Sequence, residues 1–301
     1  MTNQDAAARV SKVGYVEFTT PDPGRLVDYY KSVLGFHVED SSSERVYLNT
    51  GIDHHSVVIR KGDTEARSAV GYEIAGTVDD AHKRLANAGY DVSRRSDVAP
   101  STPDVLVLAE PGTDVPLHLY AEQERSATAE VGPAYRPTKL GHVAAFSPSL
   151  GEIQGFYQDL LGFRWSDTIG DFFVFLRCNA DHHAANFLES SKFTGMHHVA
   201  YEMRDLNHLQ TTLDHLARND YRLHWGPGRH GPGHNVFTYH RDPDGNTIEL
   251  FTQLDQMIDE TGGYYEPRPW HLDSPQVPKT WEVDIATANS WGPILPEILD
   301  H

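Results

Sequence analysis

Residues 226–252 read GPGRHGPGHNVFTYHRDPDGNTIELFT. Two runs rich in β-branched and aromatic residues, Asn235–His240 and Thr247–Thr252, flank the loop Asp242-Pro243-Asp244-Gly245-Asn246. That pattern predicts a β-hairpin. With the loop centred on Asp244, Tyr239 falls opposite Glu249. Side chains opposed on one face of such a pair have Cβ atoms roughly 5 Å apart. Period-two alternation puts Phe237 and Tyr239 on one face with Thr247, Glu249 and Phe251. A carboxylate among aromatics is costly unless it is solvated or neutralised. Glu249 therefore lies on an exposed face or meets a cation, and histidines converging on that face would decide for the cation.

Two further strand-like runs carry histidines, Lys139-Leu-Gly-His142-Val-Ala-Ala and Gly195-Met-His-His198-Val-Ala-Tyr. Two imidazoles and one carboxylate on three strands match the facial donor set that leaves metal coordination positions open. In the pair His197-His198, alternation lets one ring face the cleft. The run Tyr239-His-Arg-Asp242-Pro243-Asp-Gly245-Asn-Thr-Ile-Glu249 resembles the signature of the type I extradiol ring-cleavage dioxygenases. These belong to the vicinal oxygen chelate superfamily and include catechol 2,3-dioxygenases and 2,3-dihydroxybiphenyl 1,2-dioxygenases. The resemblance covers about residues 10–252 and is strongest after 138. Thr238 departs from it, standing where the family usually has an apolar residue, but the tyrosine-to-glutamate spacing is intact.

The resemblance implies His142, His198 and Glu249 as metal ligands, Fe(II) as the metal with Mn(II) as its substitute, and O2 as co-substrate. It selects His198 over His197 and leaves His197 on the opposite face. His183, in Asn179-Ala-Asp-His-His183, matches an acid–base histidine beside the oxygen site; its neighbour His182 is expected to point away as a surface residue. His230, between glycines, matches a histidine at the substrate edge. Tyr239 is placed to hydrogen-bond a substrate oxygen. His234 and His240 receive no role. The implied reaction is cleavage of a small catechol beside its two hydroxyls. Phe173, Phe175 and Trp225 are the expected ring-pocket residues; without a paired cation there, a neutral, hydrophobic catechol is expected over a carboxylated one.

An internal repeat organises the rest. Val13–Phe18 matches Leu140–Ala145, and Tyr29–Phe36 matches Phe156–Phe163, in ungapped register. Ser149 and Glu152 form a capping-box pattern, and Gly162 suits a helix end. Weaker units start near Val70 and at His197; the first has a helix over Asp79–Ala88, the second a helix from Asp205 with Leu206, Leu209, Leu213 and Leu216 on its buried face. The expected architecture is α+β, four βαβββ modules paired into two domains with curved mixed sheets, as in the vicinal oxygen chelate or glyoxalase-like fold. The expected boundaries are a non-catalytic pair at 1–125, a catalytic pair at 135–252 and a Pro/Trp-rich arm at 253–301. The polar stretch Ala121–Thr138 reads as a linker. Aligning the halves puts Tyr15 at His142, Tyr72 at His198 and His118 at Glu249, which makes no metal-binding triad.

Composition narrows the function. The chain has 301 residues, 39% of them hydrophobic, enough for packed cores. A net charge of −18 argues against nucleic acid or an anionic membrane as a partner. Residues Met1–Arg9 carry no signal-peptide core, and no apolar run approaches the ~20 residues of a membrane span. A single cysteine, Cys178, excludes an internal disulfide, suits a reducing cytoplasm and reads as a buried thiol. Thirteen of eighteen histidines lie at or beyond His142, which puts metal chemistry in the second half. The aromatic arm and the degenerate first half point to a homo-oligomer. Two other readings share the fold: a metal-dependent glyoxalase-type isomerase or lyase, for which a fourth protein ligand is missing, and a metal-free small-molecule-binding module.

Overall fold

Two β-sheets, each assembled from two copies of one βαβββ unit, account for most of the chain. The structure, a computed structural model, describes residues 6–113, 115–126, 132–270 and 274–293. The first five residues, the middle of the Ala121–Thr138 linker and Pro296 lie outside the described residues. The first unit runs β1 (Arg9–Thr20), α1 (Pro23–Asp28), β2 (His37–Ser41), β3 (Arg45–Asn49) and β4 (Val57–Lys61). The second runs β5 (Ala66–Ala75), α2 (Val78–Asn87), β6 (Ser93–Arg95), β7 (Val105–Ala109) and β8 (Pro116–Tyr120). The third runs β9 (Lys139–Ser147), α3 (Leu150–Gly155), β10 (Arg164–Ile169), β11 (Phe173–Arg177) and β12 (Ala185–Glu189). The fourth runs β13 (Gly195–Glu202), α4 (Leu206–Arg218), β14 (Leu223–Arg229), β15 (Val236–Arg241) and β16 (Thr247–Thr252).

This is the expected α+β fold of curved mixed sheets. In each half the two opening strands pair antiparallel, β1 with β5 and β9 with β13. Each opening strand also pairs in parallel with the last strand of its own unit. Register shifts interrupt both central pairs. Such bulges increase the local twist and bend the strands.

Local chemistry explains the helix ends. Ser149 Oγ accepts from Glu152 N at 3.3 Å, and the Asp205 carboxylate accepts from His208 N at 2.8 Å. Each satisfies a donor that the first helical turn leaves free. α1 and α3 both widen into a single π turn, Tyr29–Val33 and Phe156–Leu160. Gly35 and Gly162 then reverse the chain at φ +72°, a conformation glycine adopts without a Cβ clash. In α4, Leu209 and Leu216 are buried and Leu213 packs beside them, but Leu206 is exposed. It directly follows the cap, and the buried stripe runs instead through His208 and Thr212.

One apolar cluster joins residues of both halves. Helix aromatics cross between them: Tyr157 Oη donates to Glu110 Oε1 at 2.6 Å, and Tyr29 Oη meets His240 Nε2 at 2.7 Å. Cys178 is buried here, and burial pushes its thiol up to about 12, too high for a thiolate at neutral pH.

The strand register corrects one alignment. Tyr15 pairs with Gly71, which pairs with His118; His142 pairs with Ala200, which pairs with Glu249. Tyr15 and His118 thus stand where His142 and Glu249 stand. Tyr72 does not correspond to His198: Val13 pairs with Tyr72 as Leu140 pairs with Tyr201. The counterpart of His198 is Ala69, opposite Glu17. Both Tyr72 and Tyr201 are fully buried in the core, and that shared burial sets the register.

The arm beyond Thr252 packs on the second half. β17 (Met257–Asp259) and β18 (Tyr264–Tyr265) form a small ribbon. β19 (Lys279–Trp281) adds to the edge at β10, and α5 (Ile285–Ala288) follows. Among the described residues no helix is long and apolar enough to cross a membrane.

A glycine in each opening strand makes room for an aromatic ring. A Cβ on Gly141 would lie 2.3 Å from Phe251 Cζ, and one on Gly14 would lie 1.7 Å from Tyr120 Oη. Gly141→Ala is therefore expected to cost ~1–3 kcal/mol by overpacking. Gly141→Ala combined with Phe251→Leu should recover part of the loss. Urea-unfolding midpoints measure both; an unchanged midpoint in the single variant would show that the ring moves aside.

Candidate metal centre

The hairpin forms with the register expected from its sequence: Tyr239 pairs with Glu249. Asp242 organises the loop, accepting from Asp244 N at 3.0 Å and from Asn246 N at 2.8 Å. β16 then runs parallel to β13, and β13 antiparallel to β9. Glu249, His198 and His142 therefore sit on three adjacent strands, all at most 3% exposed.

Their donor atoms converge. His142 Nε2 and His198 Nε2 are 3.1 Å apart, and each is 3.1 Å from Glu249 Oε2. Protons satisfy this triangle poorly, because one N–H bond has one direction and two acceptors to serve. A cation at the centre satisfies all three lone pairs. Donors about 2.1 Å from an ion and at right angles stand about 3.0 Å from each other, the facial arrangement. The donor set fits a divalent ion with octahedral preferences. Among the described residues it is the group of His, Cys, Asp and Glu donors close enough to share an ion.

The surrounding contacts hold Glu249 in place. Asn235 Nδ2 donates to Oε1 at 2.9 Å and Tyr239 Oη donates to Oε2 at 3.0 Å. Burial would raise the Glu249 carboxyl, but His142 and His198 outweigh it and hold the group well below the usual carboxylate range. Burial lowers His198, and Glu249 partly opposes that. His198 Nδ1 meets His197 Nδ1 at 2.6 Å. Such a partner fixes a ligating ring's orientation.

A cavity of about 270 Å³ opens over these donors. His183, His230 and Tyr239 line it, as do Phe173, Phe175 and Trp225. His183 packs edge-on against His142, with ring centres 4.4 Å apart. His230 Nε2 lies 3.2 Å from Tyr239 Oη, and its Nδ1 is 2.7 Å from Ala288 O. Burial pushes His183 well below the ordinary imidazole value and His230 down to about 4, so both rings are neutral at pH 7. Burial, with Glu249 adding to it, holds Tyr239 well above the ordinary phenol value. Its hydroxyl therefore stays a donor.

Two histidines sit otherwise than alternation predicts. His197 lines the cavity instead of facing away, because a bulge between Met196 and His198 inserts it into the ladder and breaks the period of two. His182 is no surface residue: it is fully buried, with Nε2 3.0 Å from Asp167 Oδ2 and Nδ1 2.9 Å from His183 Nδ1. His234 pairs with Asp255 at 2.7 Å. Arg229 turns from the cavity, donating to His234 O and Gln253 Oε1 between the Trp270 and Trp291 rings.

Sequence reasoning missed Asn235, Asn186 and the cavity roof. Asn186 is a buried amide on the cavity wall whose Oδ1 has no protein partner. Val283, Asp284, Ile285, Thr287 and Ala288 close the cavity from the arm. Asn235 had a readable signal: it lies one residue before β15, within reach of the face that carries Tyr239.

The sequence profile of the Glyoxalase/Bleomycin resistance protein/Dioxygenase superfamily matches residues 139–250. Metapyrocatechase 2 of Cupriavidus necator is 33% identical over 167 residues, 54% of this chain and 46% of that protein. The match thus spans about half the length of that relative. The structure of homoprotocatechuate 2,3-dioxygenase from Brevibacterium fuscum with 3,4-dihydroxyphenylacetate superposes with a TM-score of 0.84 at 23% identity, over 99% of this chain and 93% of the other. The Mn(II)-bound glyoxalase of Novosphingobium aromaticivorans gives 0.82 at 25% identity, over 95% and 91%.

If Asn235 holds the carboxylate for an ion, Asn235→Ala should weaken divalent-metal affinity by ~10–100-fold while the fold persists. His142→Ala, His198→Ala and Glu249→Ala should each abolish metal retention. Elemental analysis after chelator competition, beside circular dichroism, measures both. Wild-type metal content in any of the three would remove that residue from the set.

Proposed function

We infer that this chain, whose residues 139–250 carry a domain of the glyoxalase, bleomycin resistance protein and dioxygenase superfamily, is an extradiol dioxygenase. On this reading it opens the ring of a catechol beside its two hydroxyls, both atoms of O2 entering the product, with Fe(II), or Mn(II) in its place. The observation that carries the reading is the three-donor face at the floor of an apolar cavity, with two neutral imidazoles and a phenol beside it. The likeness to metapyrocatechase 2 supports it. Residues 135–252 are then the catalytic half, 1–125 the non-catalytic pair, and 253–301 the arm.

His142, His198 and Glu249 would hold the metal. When bound, it would supply open positions where two vicinal substrate oxygens and O2 meet and exchange electrons. The protein's own groups do the rest. Tyr239 Oη is placed to hydrogen-bond a substrate oxygen and stabilise charge developing there. His230, whose Nδ1–H donates to Ala288 O, presents a bare Nε2 that accepts from a substrate hydroxyl. His183, on the opposite wall, takes the acid–base role. Ile169, Phe172, Phe173, Phe175, Leu188 and Trp225 exclude water and hold the ring.

That wall also sets substrate polarity. No lysine or arginine lines the cavity among the described residues, and its added charge is the acidic Asp284. A substrate carboxylate would meet no cation and be costly to bury. The reading is therefore a neutral alkyl-, chloro- or aryl-substituted catechol. The reducing cytoplasm suits the buried thiol, and exposed Phe193, Ile258 and Trp291 supply apolar surface for a homo-oligomer.

The likeness to a Mn(II)-bound glyoxalase keeps an isomerase or lyase as the second reading. Metal analysis with oxygen uptake separates them: uptake with catechols supports the dioxygenase, and metal without uptake supports the isomerase. A protein that retains no metal would be a binding module.

Three outcomes are expected. His183→Phe should keep its metal but turn over ~10²–10⁴-fold more slowly; unchanged turnover would make His183 structural. The kcat/KM for 3- or 4-methylcatechol or 2,3-dihydroxybiphenyl should exceed that for homoprotocatechuate. A tenfold preference for the acid, about 1.4 kcal/mol, would sink the polarity argument. Sedimentation should give an oligomer at micromolar protein; a monomer would refute that part.

A further inference from the structure

A hydrogen-bonded chain runs from the cavity to the arm through groups the mechanism does not use. We propose that Asp167 and His182 are positioning residues that hold His183 in the tautomer with Nδ1–H, so that a bare Nε2 faces the cavity. The proposal rests on the acid–base role read for His183 above and names what sets it.

The assignment starts at the buried end. Asp167 lies on β10 and is fully buried. Its Oδ1 accepts from Lys279 N at 2.8 Å, and its Oδ2 accepts from Trp281 Nε1 at 2.7 Å. An indole N–H and a backbone N–H only donate, so the carboxylate is the acceptor throughout. His182 Nε2, 3.0 Å from the same Oδ2, must then carry a hydrogen. A neutral imidazole has one N–H. With His182 neutral and that hydrogen on Nε2, its Nδ1 is an acceptor, and the 2.9 Å contact is then donated by His183 Nδ1. His183 Nε2 is left with its lone pair.

His182 cannot easily turn out of this arrangement. Its backbone N–H donates to Asp255 O at 2.9 Å, and its ring lies 5.0 Å from that of Tyr265. A Cβ on Gly233 would lie 3.0 Å from His182 Nδ1, so the glycine backbone closes the remaining side. Asp167, His182 and His183 are each at most 2% exposed, out of competition with water.

The tautomer fixes the order of proton movements. A bare Nε2 cannot donate first. It must take a proton from an O–H in the cavity, breaking that O–H bond and forming N–H, before the same hydrogen can be returned to a later oxygen. His183 therefore acts as base and then as acid. The arm enters the reaction indirectly, because Lys279 and Trp281 also donate to Asp167.

The test is nitrogen NMR of histidine-labelled full-length protein loaded with Zn(II), beside steady-state oxygen uptake of the Fe(II)-loaded enzyme. The wild type should show His183 protonated at Nδ1. Asp167→Asn and His182→Phe should each release it to the Nε2–H form, with kcat at least tenfold lower and KM for methylcatechol changed less than twofold. Trp281→Phe removes one donor from the same carboxylate but leaves Lys279 N and His182 in place, and should lower kcat less than Asp167→Asn does. An Nε2–H form in the wild type overturns the proposal, as does an unchanged tautomer in His182→Phe. Wild-type protein with the Nδ1–H form but no uptake with any catechol would overturn the ring-cleavage reading and leave the tautomer assignment standing.

Discussion

A carboxylate buried to 1% exposure is the constraint on which the second half of this chain is built. Taking an ionised carboxylate out of water costs several kcal/mol unless partners replace its solvation. Glu249 has four: His142, His198, Asn235 and Tyr239. These come from three further strands and one loop, so the carboxylate is satisfied only where β15, β16, β13 and β9 lie side by side. No single strand could supply them. The parallel pairing of β13 with β16 and the antiparallel pairing of β9 with β13 bring the donors to one point.

The first half shows what the same scaffold becomes without that charge. Tyr15 and His118 occupy the matching positions and bond each other directly, Oη to Nδ1 at 2.7 Å. Burial lowers His118 to about 4, so the ring is neutral at physiological pH. The matching register also puts His54 and His55 where His182 and His183 stand, since Val57 pairs with Val16 as Ala185 pairs with Val143. The paired histidines survive in both halves, and the converging donors in one. Tyr15, Tyr47 and Tyr120 share a small buried cluster, in which the Tyr15 and Tyr120 rings stack.

The arm joins the two sides of the site. β19 extends the sheet next to β10, and its Trp281 and Lys279 complete Asp167. α5 then places Ala288 O against His230 and Val283, Ile285 and Thr287 over the cavity. A segment rich in proline and tryptophan thus orders two histidines on opposite walls. Its contribution is to position and exclude water more than to supply reacting groups.

What the sequence determined by itself is local and periodic. The Tyr239–Glu249 pairing was legible because a tight loop and a period of two admit one register. The βαβββ repeat was legible because a capped helix and a glycine at its end recur in order. The assignment of donors to three strands came from a family resemblance added to that pattern. Only the tertiary structure decided where the period fails and which distant groups meet. The bulge that turns His197 into the cavity has no sequence mark, since it depends on how β13 fits β9. His182 looked solvent-facing because its partner, Asp167, lies on another strand. Tyr72 was misaligned because burial against the other half, not strand spacing, set its place. In each case the deciding energy is a contact between residues far apart in the chain, which no local pattern encodes.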